Sequence, residues 1–128
     1  MLAQSNPHEA YRRVDFDARV AGADPAQLVS LCFEQLISSL GSAMFAAERG
    51  DNPLKSQSLT RALSALTALR LGINQNGAIG PALLQLYEAA RKAVLDSALA
   101  FDPQTIATIR QDFIEISRAM LRDNDGPK

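Results

Sequence analysis

Four prolines at near-equal spacing constrain the fold of this chain more than any other feature. Each follows a capping or turn residue and precedes apolar residues at helical period, in the pairs Asp24-Pro25, Asn52-Pro53, Gly80-Pro81 and Asp102-Pro103. Proline suits the first helical position because its missing N–H would have no intrahelical partner there, and because its φ is already helical. An Asp or Asn before it can accept hydrogen bonds from the N–H groups of the first turn. The pattern predicts four helices that begin at these pairs.

The spacing of the four starts predicts how the helices are arranged. Successive prolines lie 28, 28 and 22 residues apart, which leaves room for helices of about 20 residues, roughly 30 Å long, joined by short loops. We therefore predict an all-α fold, an antiparallel four-helix bundle with a flexible N-terminal lead-in segment. The predicted bundle covers residues 24–121, between a lead-in or lid at 1–23 and a polar C-terminal tail at 122–128.

Composition and charge narrow the class of protein. The chain has 128 residues, of which 47% are hydrophobic, and this is enough for one continuous core. Its 13 basic and 14 acidic residues give a net charge of −1. Because the positive charges are scattered, nucleic acid is not an expected partner. Uninterrupted apolar stretches are only a few residues long, so we expect no membrane insertion, no signal peptide and a cytoplasmic location.

Two of the predicted helices carry one narrow apolar stripe each, as a bundle core requires. The helix that begins at Pro53 has the stripe Leu59, Ala62, Leu63, Leu66, Leu69 and Ile73. The helix that begins at Pro103 has the stripe Ile106, Ile109, Phe113, Ile116 and Met120. The former is expected to end at Asn74-Gln75-Asn76-Gly77, with Gly77 in a left-handed C-terminal cap.

The other two predicted helices have more apolar residues than one core needs. On the helix from Pro25 they spread over about half the circumference: Leu28, Val29, Cys32, Phe33, Leu36, Ile37, Leu40 and Met44. On the helix from Pro81, Leu84, Leu95 and Leu99 form a second stripe, apart from the core stripe of Leu83, Leu86, Tyr87, Ala90, Val94 and Phe101. Two interpretations stay open. The surplus residues pack on the N-terminal segment or tolerate exposure, or they form a groove for an amphipathic or extended peptide.

Side chains suited to catalysis or metal binding are sparse. The one histidine, His8, precedes the predicted bundle, where a solvated position is expected, and no Glu-x-x-His pair of a di-metal bundle occurs. Gly72, Gly77 and Gly80 surround a turn without the Lys-Ser/Thr of a phosphate-binding loop. The one cysteine, Cys32, is expected to be a small buried hydrophobe. We predict no enzyme, no cofactor and no metal site, so that function rests on surfaces.

A series of short motifs resembles a known family. The motifs are Ala10-Tyr11, Val20, the stretch from Ala23 to Val29, Cys32-Phe33, Arg49-Gly50-Asp51, Leu86-Tyr87-Glu88, Arg91-Lys92 and Asp102. In their order and spacing, over residues 10–121, they resemble the flagellar secretion chaperone family FliS. Cys32-Phe33 stands where that family has Leu-Tyr, which keeps an aromatic ring without its hydroxyl. Ala98 stands where the family usually has an asparagine.

The resemblance implies a cytoplasmic four-helix export chaperone. Such a protein binds the C-terminal region of flagellin, prevents premature polymerisation and keeps the subunit competent for flagellar type III secretion. Apolar segments that are disordered in the monomer self-associate unless another surface buries them. The resemblance leaves open a flagellar export-gate protein as a further partner. A helical adaptor that binds an amphipathic segment of another protein is the alternative function.

Ten residues are predicted to contact the partner, from the family motifs and the surplus apolar positions together. They are Tyr11, Val20, Leu28, Phe33, Leu36, Ile37, Leu84, Tyr87, Leu95 and Leu99. The residues before Asp24 are expected to form a displaceable lid, anchored by apolar side chains that include Tyr11 and Val20. Phe33 and Leu36 are expected on the broad apolar half of their helix, part of which faces the partner or the lead-in.

Overall fold

The described part of the chain consists of five α-helices and contains no strand. The structure, a computed structural model, describes residues 7–73 and 79–125, with side chains from residue 10 to residue 120. The helices are α1 (Pro7–Ala21), α2 (Pro25–Arg49), α3 (Asn52–Leu71), α4 (Gly80–Leu99) and α5 (Pro103–Asp125). The predicted all-α bundle is confirmed.

The residues before proline cap α2 and α5 as the sequence predicts. Asp24 and Gln27 form a reciprocal capping box, in which the backbone N–H of each donates to the side-chain oxygen of the other at 2.9 Å. Before α5, Asp102 accepts from the Gln104 N–H at 3.1 Å and from the Thr105 hydroxyl at 2.7 Å. These hydrogen bonds satisfy first-turn groups that have no partner inside the helix.

The starts of α3 and α4 differ from the predicted ones. Asp51, rather than Asn52, is the N-cap of α3, and its carboxylate accepts from the Leu54 N–H at 3.1 Å. Gly50 makes this early start possible because its left-handed φ of 71° ends α2 immediately before Asp51. At α4 the N-cap position is Ile79, which provides no side-chain hydrogen bond, and the predicted cap residue Gly80 is already helical.

The predicted end of α3 near Asn74–Gly77 is wrong. The helix ends at Leu71, and the Gly72 N–H donates to carbonyl oxygens of the last turn. Glycine forms helices poorly because its backbone loses more conformational freedom than that of other residues, so Gly72 favours the earlier stop. Ile73 follows the helix and still packs half-buried on the core. The cap predicted at Gly77 lies outside the described residues.

Helices α2 to α5 surround one core, in which each helix packs on the next and α5 returns to α2. The centre of this core holds three aromatic rings, Phe33, Tyr87 and Phe113, with centroids 5.6–6.5 Å apart. Most residues of the stripes predicted for α3 and α5 are buried around them, and Leu63 and Ile116 pack half-buried at its edge. The helical periodicity of the sequence therefore identified the core faces of these two helices except at Met120, which is exposed.

Helical structure extends past the predicted bundle at both ends. The lead-in, predicted to be flexible, contains α1, which packs on α2 alone among the described elements. Asn6-Pro7 repeats the pattern that precedes the other helices, so the signal for α1 was present in the sequence. At the other end, α5 continues to Asp125, beyond the predicted tail boundary at residue 122.

Among the helices that the structure describes, one, α2, is long and apolar enough to cross a membrane by length and composition. This corrects the expectation that no such segment can be built from the sequence. A buried core helix meets the same criteria, and α2 packs against α1, α3 and α5. Contact with three helices accounts for part of its apolar character, since 39% of its most apolar window is buried.

Candidate partner-binding surface

An open trough, the α2 trough, runs along α2 between α1 and α5. It consists of two adjoining cavities, of about 560 Å³ next to α1 and about 820 Å³ next to α5. Both cavities are lined by the exposed residues Ala26, Ser30 and Glu34 of α2, so these three residues lie where the two cavities meet. Cavities of this size accommodate several side chains of a bound segment.

The part of the α2 trough next to α5 is mainly apolar. Val29 and Ile37 are half-buried in its floor, the buried Phe33 ring lies below them, and Met120 of α5 forms part of the wall. Ser38 and Ser117 add hydroxyl groups at the edges. An apolar floor with polar edges suits the apolar face of an amphipathic helix.

The wall formed by α1 is attached to α2 through three polar contacts, made by Arg12 and Arg19. Arg12 donates from Nη2 to the Ser38 hydroxyl at 2.7 Å and from Nη1 to the Ser42 hydroxyl at 3.5 Å. Nearer the other end of α1, Arg19 pairs with Glu34 at 2.8 Å, and both side chains are about half exposed. An exposed ion pair stabilises a fold by at most about 1 kcal/mol, so the Arg19–Glu34 pair adds little to the attachment of α1.

Leu31 is a residue of this surface that the sequence analysis missed. Its side chain is 7% exposed and lines the cavity between α1 and α2, outside the main core cluster of the bundle. The apolar half predicted for α2, which runs from Leu28 to Met44, did not include Leu31. Treating residues 7–21 as an amphipathic helix would have provided the signal, since such a helix needs an apolar counterpart.

Arg110 of α5 is the second missed residue. Its Nε donates to the backbone carbonyl of Ile37 at 3.2 Å across the α2–α5 contact. The side chain lies against Gly41, where an added Cβ would be only 3.1 Å from Nε. Glycine inside a helix costs about 1 kcal/mol relative to alanine, and here it permits this close approach. Gly41, a glycine in the middle of α2, was the sequence feature that could have indicated a close contact at this point.

The ten predicted contact residues occupy three kinds of position. Three are core residues, contrary to the expectation that they present free surface to a partner: Phe33 (2% exposed), Leu36 and Tyr87. Four are half-buried: Val20, Leu28, Ile37 and Leu84. Three are exposed: Tyr11 (71%), Leu95 and Leu99 (92%). Only Phe33 and Ile37 of the ten line the α2 trough.

A second surface, the α4 stripe, consists of Leu84, Leu95 and Leu99. The prediction that these residues lie apart from the core stripe of α4 is confirmed for Leu95 and Leu99, which are exposed while Tyr87, Ala90 and Val94 are buried, and Leu84 is half-buried. The α4 stripe does not belong to the α2 trough, whose lining residues come from α1, α2, α5 and the α1–α2 turn. The α4 stripe and the α2 trough are therefore separate apolar surfaces.

The titratable groups of the core stay neutral. Burial raises the pKa of the Cys32 thiol. Burial is also the main cause that raises the pKa of the Tyr87 phenol, and the nearby Cys32 adds to it. Cys32 is buried, as predicted for a small hydrophobe. Within the described residues no group of three or more His, Cys, Asp or Glu could hold a metal ion, and the side chain of His8 lies outside them.

Comparisons with known proteins cover all five helices. The family described as "Flagellar protein FliS" matches residues 7–120. The flagellar secretion chaperone FliS of Salmonella typhimurium (strain LT2) is 29% identical over 114 residues, which are 87% of this chain and 84% of that protein. The flagellar secretion chaperone FliS of Vibrio cholerae serotype O1 is 30% identical over 112 residues, 86% of this chain and 79% of that protein. The matched region includes α1 together with the bundle.

Proposed function

Because this chain belongs to the FliS family of flagellar secretion chaperones, we propose that it binds the C-terminal region of flagellin in the cytoplasm. Binding prevents premature polymerisation and keeps the subunit competent for flagellar type III secretion. The protein acts by covering apolar surface and carries out no reaction. A helical adaptor for another amphipathic segment is the alternative, and it would use the same surfaces.

The α2 trough is the observation that carries this proposal. Its apolar floor at Val29 and Ile37 lies between two helices and is open to solvent along α2. A segment whose apolar residues would otherwise self-associate gains free energy by burying them there, at about 25 cal/mol for each Å² removed from water. The segment becomes helical on binding because a helix satisfies its own backbone hydrogen bonds in an apolar groove.

Helix α1 is a displaceable lid in this proposal. It forms one wall of the α2 trough through Arg19, and it is attached to α2 by the hydrogen bonds of Arg12 and by the half-exposed Arg19–Glu34 pair, which adds little stability. A partner helix that buries apolar surface can therefore compete with α1 for α2. Because α1 is tethered by the short turn at Gly22, its effective concentration is high, and its removal favours the partner.

The α4 stripe is available for a further contact. Leu95 and Leu99 lie on a surface separate from the α2 trough, so a long flagellin segment could occupy both surfaces, or an export-gate protein could occupy the α4 stripe of the loaded chaperone. The position of Leu99, almost fully exposed next to the α4–α5 turn, favours an extended contact over a closed pocket.

Calorimetric titration tests the proposal. The full chain is titrated with monomeric flagellin from the same bacterium and with the same flagellin lacking its C-terminal segment. We expect one-to-one binding of the intact flagellin, a negative heat-capacity change and a gain in helical circular dichroism. The truncated flagellin should produce no heat. Equal binding of both flagellins, or no heat and no spectral change at micromolar concentrations, would contradict the proposal.

A further inference from the structure

We propose that Arg110 is a carboxylate-binding anchor in the α2 trough, which selects partner segments that carry an Asp or Glu beside an apolar helical face. This inference rests on the proposed function, because the partner segment in question is the one bound in the trough. It goes further by naming a charged group of the partner and the residue that recognises it.

The charges that line the α2 trough do not cancel. Three charged residues line it: Arg19, Glu34 and Arg110. Arg19 and Glu34 pair with each other at 2.8 Å. Arg110 makes no ion pair within the described residues, and its hydrogen bond there is the one to the Ile37 carbonyl. The net charge of the lining is therefore positive and is located on α5.

The guanidinium of Arg110 is held in place. Its Nε donates to the Ile37 carbonyl at 3.2 Å, and its head lies against Gly41, where an added Cβ would be 3.6 Å from Nη2. A guanidinium has five N–H donors, so this bond leaves the two terminal nitrogens available as a planar fork. Such a fork fits both oxygens of a carboxylate, and its fixed position lowers the entropy lost on binding.

The apolar surroundings favour a carboxylate at this position of the partner. Arg110 is half-buried beside Ile37 and Met120 in the wall and floor of the α2 trough. A purely apolar helix laid over it would take the guanidinium out of water without providing a partner, which is costly. A helix with an acidic residue at that position avoids the cost. Arg110 therefore favours acidic amphipathic segments and disfavours those that are only apolar.

A double-mutant cycle tests this inference. The probe is a peptide that covers the C-terminal segment of flagellin from the same bacterium, with each Asp or Glu replaced in turn by its amide. The chaperone is used as the full chain, as wild type, as Arg110→Gln and as the matched control Arg118→Gln, whose exposed arginine lies on α5 outside the trough. Circular dichroism and thermal unfolding verify that the variants fold.

We expect Arg110→Gln to weaken binding of the unmodified peptide about tenfold or more, and Arg118→Gln to leave it within about twofold. One amide replacement in the peptide should weaken binding to wild type by a similar factor and have little effect on Arg110→Gln, because the two groups act as a pair. Arg110→Lys, which keeps the charge without the fork, should be intermediate, and its affinity should fall more steeply with salt.

Two results would overturn the inference. One is binding by Arg110→Gln as tight as that of wild type. The other is a loss of binding that couples to no acidic residue of the peptide, which would assign Arg110 a structural role only. In both cases wild type still binds the peptide and the proposed function stands. If wild type binds neither the peptide nor flagellin, the proposed function fails and the Arg110 inference fails with it.

Discussion

Helices α3 and α1 both pack on α2, but they do so by different means. α3 buries Leu59, Leu66 and Leu69 against the bundle core. α1 is attached by Arg12 and by the Arg19–Glu34 pair, and its Tyr11 and Val14 are exposed. Apolar burial stabilises in proportion to area, whereas exposed ion pairs add little. One side of α2 is therefore a permanent interface, and another side is suited to exchange.

Truncation of a core aromatic residue should have the largest effect. Phe33 contacts both Tyr87 and Phe113 in the permanent interior. We expect Phe33→Ala to lower the free energy of unfolding by about 3–5 kcal/mol, because it leaves a cavity that the surrounding helices fill only in part. Urea denaturation measures this loss.

On the side of α2 that faces α1, Leu31→Ala is the variant whose loss of stability is compared with that of Phe33→Ala. Leu31 lies beneath α1 and outside the main core cluster, so its truncation should cost less than Leu66→Ala in α3, for which about 2–5 kcal/mol is expected. Equal losses for Leu31→Ala and Leu66→Ala would mean that α1 is part of the permanent core.

A Phe33→Ala variant that kept its stability and lost flagellin binding would identify Phe33 as a partner contact.

Removal of α1 should have an intermediate effect. Deletion of residues 1–20 should leave cooperative unfolding of the bundle intact and tighten flagellin binding, because the tethered competitor is gone. Titration of the deleted and intact chains measures the change in Kd. Tyr11→Ala in the intact chain is the control, since it separates loss of the lid from loss of a contact that Tyr11 makes with flagellin.

Hydrogen exchange examines the same movement directly. Amides of residues 10–20 should exchange faster than those of α3, because α1 opens at a lower free energy than the bundle unfolds. Their exchange should change when flagellin is bound. Equally slow exchange in α1 with and without flagellin would show that the helix does not move, and would remove the distinction between the two interfaces.

The smallest effect concerns the cap of α5. The hydrogen bond from the Thr105 hydroxyl, with those from backbone N–H groups, lowers the pKa of Asp102 below its ordinary value of 3.8. The stabilisation is therefore fully present above pH 3.8 and is lost as the pH falls through the lower pKa of the folded state. As the pH falls through this acid range, the midpoint temperature of thermal unfolding should decrease more steeply for wild type than for Asp102→Asn. If the two proteins lost stability equally with falling pH, the stabilising role assigned to the Asp102 carboxylate would be wrong.

Much of the bundle could be predicted because its signals are local. The capping box of Asp24 and Gln27 and the cap of Asp102 depend on residues within one helical turn. The stripes of α3 and α5 follow from helical periodicity, which places residues on a face whatever they pack against. The same local rule, applied to Asn6-Pro7, would also have indicated α1.

The candidate site was less predictable because it depends on contacts between distant parts of the chain. Periodicity placed Phe33, Leu36 and Ile37 on one broad apolar half of α2, but it could not say which of them a neighbouring helix covers. The assembled bundle buries Leu36 and Phe33, whose ring contacts Tyr87 of α4 and Phe113 of α5, and it leaves Ile37 half-buried in the α2 trough. Burial of a side chain is a property of the assembled helices and not of one helix.

The sequence by itself determined an all-α bundle, two of its core faces and, through its motifs, the FliS family. These properties arise from the backbone preferences and the order of residues along each helix. Only the tertiary structure decided that α1 covers Leu31 and that Arg110 lies against Gly41. Those contacts join residues that are distant in sequence, and they form because short-range packing and hydrogen bonding depend on how whole helices are positioned against one another.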